Sequence, residues 1–179
     1  MPIQTSDLKF KYSGTNTPGS SAAQPNPNAS LGGYVSTTIW SGGVLDDLFS
    51  DITALENMNS QVDYRCIFLH NSNGTNTFLS PVVWFSANVA GGADVALGID
   101  PTPASIVSSS GAQAVVIATG TTAPAGVSFR TPTSYATGIG LSDLLPNFVV
   151  GIWVQRSATN STALSNDGFT LSVQGNTSG

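Results

Sequence analysis

The chain has 179 residues, enough for one domain with a sizeable core, and only 8% of them are charged, against about 25% in an ordinary soluble domain. Five basic residues against ten acidic ones give a net charge of −5, and no basic stripe appears anywhere, which speaks against nucleic-acid binding and its need to neutralise phosphates. A single cysteine, Cys66, rules out an intrachain disulfide. No run approaches the roughly 18–20 apolar residues of a membrane span, and the N-terminal MPIQTSDLKFKYS lacks the apolar segment of an export signal, so synthesis in a cytoplasm without export is expected.

Residues 1–33 divide into a short strand, Leu8–Tyr12, and a loose tract. In LKFKY the apolar Leu8, Phe10 and Tyr12 alternate with Lys9 and Lys11, so one face is buried and the other charged. The tract from Ser13 to Gly33 has one bulky apolar residue, Leu31, and cannot offset its own ordering entropy. Pro18, Pro25 and Pro27 suit an extended arm lying on a neighbouring subunit; a disordered linker is the competing reading. Tyr34–Trp40 reads as a strand between glycine pairs. In the next stretch Val44, Leu45, Leu48, Phe49, Ile52 and Leu55 fall at helical spacing, which predicts a helix of about three turns with Asp46, Asp47, Asp51 and Glu56 mostly toward solvent.

The richest stretch is Tyr64–Ser86. Two apolar runs, Tyr64–His70 and Thr77–Ser86, flank a polar segment that contains Asn73-Gly74, and Asn-Gly supplies the positive φ that hairpin turns need. The pattern predicts a central hairpin, with Pro81 marking a bulge or an edge. Short strands are predicted at Ala93–Ile99, Ala112–Ala118 and Gly126–Arg130, and a helical turn at Ser142–Leu145. Asn147–Arg156 is apolar on both faces and reads as a mid-sheet strand, with Gly151 at a bulge or a close backbone approach. Gly168–Gln174 alternates cleanly and is expected to pair with it, antiparallel. The whole predicts an all-β fold: an antiparallel β-sandwich, jelly-roll or Ig-like, of about eight strands with one short helix and an extended N-terminal arm. The expected division is 1–33 strand and arm, 34–175 sandwich, 176–179 frayed tail.

Residues for chemistry are sparse. There is no zinc spacing, no phosphate-cradling glycine loop and no nucleophile elbow. Cys66 reads as a buried thiol; a pair with His70 is disfavoured because positions 66 and 70 of one strand stand about 13 Å apart. His70, beside the predicted turn, is expected partly exposed. No catalytic, cofactor-binding or metal-ligating residue is expected, nor any cofactor. Trp40, Trp84, Trp153 and Tyr135 are the candidates for stacking on a sugar, which makes weak glycan binding the competitor from another class.

Three segments carry a resemblance: PNASLGGYVSTT after LKFKYSG; DYRCIFLHNSNGTNT leading to VVWFS and LGIDP; and GVSFRTPTSYATGIGLSDLLPN leading to GIWVQRSATNSTALSNDGFTLSVQG. Their order resembles small virion structural proteins of tailed bacteriophages, over roughly Leu8–Gly175. The resemblance implies a non-enzymatic protein, most like a capsid decoration (cement) protein. It would bind the outer capsid surface and clamp neighbouring subunits of the major capsid protein. It would associate with copies of itself as a homotrimer, have no nucleic-acid or membrane partner, and be made in the bacterial host cytoplasm. The alternative within the class is a neck, tail or baseplate subunit. The motifs are structural, so no site residue carries over. The partner contacts expected from the arm and the 131–145 loop are Phe10, Tyr12, Pro25, Pro27, Leu31 and Tyr135.

Overall fold

The computed structural model describes residues 2–14, 18, 22–44, 46–162, 164 and 167–178. Parts of the arm tract (15–17, 19–21), Leu45 of the expected helix and 163, 165 and 166 of the last connection lie outside them.

The strands are β1 (Leu8–Gly14), β2 (Tyr34–Ile39), β3 (Val62–Asn71), β4 (Phe78–Asn88), β5 (Asp94–Ile99), β6 (Ser105–Ile106), β7 (Ile139–Gly140), β8 (Phe148–Ser157) and β9 (Phe169–Thr177). They form two antiparallel sheets. The large one runs β2-β1-β3-β8-β5, with β6 also paired to β8, and the small one runs β7-β4-β9. This is the all-β sandwich that the alternating and two-faced apolar runs predict.

The sheets pack through side chains of one parity. Cross-strand pairs Ile67–Ile152 and Leu69–Val150 set the register of β3 against β8. Ile67, Leu69, Leu97, Ile152 and Val154 from the large sheet meet Phe78, Val83 and Phe85 of β4. Each such large aliphatic, fully buried, contributes about 1.5–3 kcal/mol. Residues of the other parity, Cys66, Phe68, Val149 and Trp153, point away from the small sheet. They are covered by irregular chain from the 100–130 region that contributes Ala114 and Ile117. β3 and β8 are therefore buried on both faces, which explains their unbroken apolar runs.

The cover is held by polar groups. The Asp100 carboxylate accepts from Trp153 Nε1 at 2.7 Å, Val115 N at 2.9 Å and Thr102 N at 2.8 Å. Gln113 Oε1 accepts from Val35 N, and Gly33 O accepts from Gln113 N and Ala114 N. Of the bulge or close approach expected at Gly151, the structure has the close approach: a Cβ there would stand 2.9 Å from Asp100 Cβ. Gly32, at φ 90°, passes so close that a Cβ would meet the Val115 carbonyl at 1.7 Å.

Several expectations are corrected. Tyr64–Ser86 is not a hairpin: β3 pairs with β1 and β8, β4 with β7 and β9, and the polar segment between them carries the chain from one sheet to the other. Neither Asn73 nor Gly74 has the positive φ of a hairpin turn. The asparagines bond through their side chains instead. Asn71 Nδ2 donates to the carbonyls of Asn76, Leu144 and Leu145, and Asn73 Oδ1 accepts from Thr75 N and Asn76 N. β8 and β9 lie in different sheets, so they are not an antiparallel pair.

The three-turn helix is reduced to α1 (Ala54–Met58), capped by Thr53 and Glu56. Upstream, Gly42, Gly43 and Asp46 take positive φ, and the chain becomes a strap whose Leu48 and Phe49 plug the end of the sandwich. The helical spacing there marks no shared buried face: the adjacent Leu48 and Phe49 are buried, while Val44 and Leu55 are exposed. Ala112–Ala118 is no strand, because its amides are met by Gly33 O, Leu31 O and the Asp100 carboxylate. Gly126–Arg130 reduces to one bridge, Leu97–Arg130. Ser142–Leu145 forms no helical turn; Leu144 bridges Phe78 instead. Pro81 sits at a register shift in β4, between Leu79 and Val82, with Ser80 at φ 48°, so it marks a bulge in a central strand, not an edge. β9 extends to Thr177, into the expected frayed tail.

Candidate functional site

β1 lies between β2 and β3, so Phe10 and Tyr12 face the inter-sheet core. Tyr12 is buried, and its hydroxyl donates to the Asp47 carbonyl of the strap. Burial, then the nearby Asp47 charge, pushes its pKa up to about 12. Phe10 is half-buried and packs edge-on against Trp40. The arm from Ala22 onward is fastened to its own sandwich. Gln24 Nε2 and Ser30 Oγ donate to Ser13 O, Cys66 N donates to Ser30 O, and Arg65 Nη2 donates to Asn28 Oδ1. Pro25 is exposed, Pro27 is half-buried, and Leu31 packs beneath the cover.

Two concave features stand out. A groove of about 510 Å³ runs between β1 and β9, lined by Ile3, Leu8, Phe10, Leu171 and Val173 among others. β9 pairs with β4 on one edge, and among the described residues no strand pairs with its other edge. An unpaired edge beside apolar walls is the arrangement that accepts an added strand. A cleft of about 900 Å³ lies between the strap and the 159–168 loop, with Asp46, Asp47, Asp51, Asp167 and Arg156 along it. Asp47 accepts from Trp40 Nε1 at 2.7 Å, and burial raises its pKa. Arg156 bonds Asp63 at 2.8 Å and Ser50 O, and its guanidinium stands 4.7 Å from the Phe49 ring centre. The cleft's cation is thus committed to holding the strap. No group of three or more His, Cys, Asp or Glu among the described residues is arranged to hold a metal.

The aromatic candidates separate. Trp153 is fully buried and Trp40 is part of the core's end. Trp84 and Tyr135 come together on the outer face of the small sheet, ring centres 5.8 Å apart and nearly perpendicular, with Tyr135 49% exposed. Ser172 lies opposite Trp84 on β9.

Cys66 is fully buried, and burial raises its pKa, so the thiolate a nucleophile needs is disfavoured. His70 is not partly exposed as expected but buried, because β3 continues through it between β1 and β8. Burial first, then the charges of Lys11 and Lys9, lowers its pKa to about 4. Sequence reasoning singled out Trp84 and Tyr135 but not their contact. It missed the β9 side of the groove and the nearness of His70 to the lysines, because both depend on which strands become neighbours.

No family model, no curated protein and no solved structure matches the chain.

Proposed function

We propose that this protein is a non-enzymatic structural subunit of a tailed-bacteriophage virion that binds the outer capsid surface and joins neighbouring shell subunits. The observation that carries the reading is the groove between β1 and β9, where an unpaired strand edge borders the half-buried Phe10, Leu171 and Val173. Such a site gains main-chain hydrogen bonds from an extended segment and specificity from alternate side chains. The sparsely charged surface adds support, since weak mutual repulsion lets many copies pack closely. The resemblance of the three segments to virion proteins supports the same reading. With the described arm bound to its own sandwich, Phe10 acts from the groove wall, while Pro25 and Tyr135 offer secondary contacts. Self-association as a trimer belongs to the same proposal.

Adding purified protein to shells that lack it tests the reading. Co-sedimentation at hundreds of copies, with a higher shell disruption temperature, is expected. Failure to sediment removes the capsid role, and a stoichiometry of a dozen or fewer assigns it to a neck, tail or baseplate. A second reading, a glycan-binding module, is favoured only by the exposed Tyr135 packed on the half-buried Trp84; binding on a glycan array that Tyr135→Ala abolishes would establish it in place of the first.

A further inference from the structure

The chain's two lysines and its single histidine gather on one face of the large sheet. Lys9 is directly opposite His70, and Lys11 is opposite Phe68. Strand alternation puts all four side chains on the face away from the small sheet. Directly opposed Cβ atoms lie about 4.5–5.5 Å apart, and Lys9 and Lys11 stand about 7 Å apart along β1. His70 is 6% exposed, yet neither ring nitrogen has a hydrogen-bond partner. The ion pair found among the described residues is Arg156–Asp63, so neither lysine has a carboxylate of its own. Asp7 is the acidic group within electrostatic reach of Lys9, and its Oδ2 is engaged by Gln4 N and Asn73 Nδ2. On the other side of His70, β8 presents Val149.

A buried imidazole without partners is an unexplained feature, and two ammonium groups without counter-ions stand beside it in a chain of net charge −5. One bound oxyanion would satisfy both. We propose that Lys9, Lys11 and His70 form a binding site for a single carboxylate, presented by an acidic side chain of a protein partner. One oxygen lies between the two ammonium groups, and the other accepts from an imidazole N–H. The flexible lysine stems part to admit it. A monoanion suits the site better than phosphate, whose second charge is repelled by the acidic chain as a whole. The ammonium charges that add to burial in lowering the His70 pKa are then neutralised, so occupancy raises its titration midpoint. The inference does not depend on what assembly the partner belongs to.

As the only histidine, His70 gives an unambiguous imidazole signal by NMR. Acetyl-Asp-Gly-amide (a dipeptide with one carboxylate), inorganic phosphate and chloride are titrated into separate samples of the full chain at constant ionic strength. The dipeptide is expected to shift the His70 signals saturably and move their midpoint upward. Replacing Lys9→Gln or Lys11→Gln is expected to weaken the dipeptide about tenfold, as loss of a charge-assisted contact does. Absence of saturation, phosphate binding better than the dipeptide, or affinity unchanged in both lysine variants overturns the proposal. The comparison of the three anions needs only the wild-type chain, so it stands even where a variant fails to fold.

Discussion

The large sheet has two faces, and they are buried by different physics. Toward the small sheet it meets regular strands, and the contact is nearly all hydrocarbon: Ile67, Leu69, Ile152 and Val154 against Val83 and Phe85. On the other face it meets irregular chain, and buried polar groups do the fastening: Asp100, Gln113, Ser13, Ser30 and Gln24. A ladder satisfies its own backbone, so a strand can bury a purely apolar face. A coil cannot, and each of its buried amides must find a side chain or a stray carbonyl. One face is therefore robust to rearrangement of polar groups, while the other depends on particular ones.

The comparison can be broken at three points, in decreasing order of effect. Ile152→Ala removes a fully buried side chain between the sheets and is expected to lower global stability by about 4 kcal/mol in chemical denaturation. Asp100→Ala leaves Trp153 Nε1 and Val115 N without their acceptor and is expected to cost about 3 kcal/mol. Its signature differs: native-state hydrogen exchange should quicken at Val115 and Ile117 far more than at Val83 or Phe85. Equal acceleration on both faces would mean that the cover is not a separate unit of stability.

The third point is pH. His70 is buried on the polar face with its folded pKa near 4, below the 6.5 of the unfolded chain. The stability it carries is complete above about pH 6.5 and drains as pH falls toward 4, because the unfolded state binds the proton first, a loss on the order of 2 kcal/mol. In His70→Leu the loss over that window should largely vanish. Asp7 and Glu56, whose pKa values are lowered by hydrogen bonds from Gln4 and Thr53, drain stability only at lower pH, through the acid side of the carboxylate range. Urea unfolding at pH 7, 5.5 and 4 separates the two windows; parallel losses in both proteins would show that His70 is not the group responsible.

What the sequence made legible follows the same division. β8 was readable as a doubly buried central strand because Phe148–Val154 is apolar at every position but Gly151, and that glycine was readable as a bulge or a close approach, of which the structure has the second. Clean alternation located β9. Strand partnership was not readable: the hydrophobic run of β3 and that of β4 look the same whether they face each other across a turn or sit in opposite sheets. Asn73-Gly74 tipped the reading toward a hairpin, whereas Asn71 and Asn73 spend their side chains holding a crossing between sheets. The cover escaped prediction because Gln113–Ala118 has a strand's composition, and the carboxylate that replaces its ladder comes from Asp100, remote in sequence. For the candidate site, LKFKY displayed the lysines on one face, but only the register of β1 against β3 brings His70 beside them.

Cys66 lies opposite Trp153, beneath the cover, and is the chain's only thiol. That makes it a built-in reporter. A thiol reagent added to the folded protein reacts no faster than the protein exposes this one atom, so the labelling rate clocks the lifting of the irregular layer. Where reagent capture outpaces reclosing, the clock reads the opening rate itself; where it does not, it reads the population of the opened form. A single unmodified residue thus turns the less regular face of the sheet into the one whose motions are easiest to time.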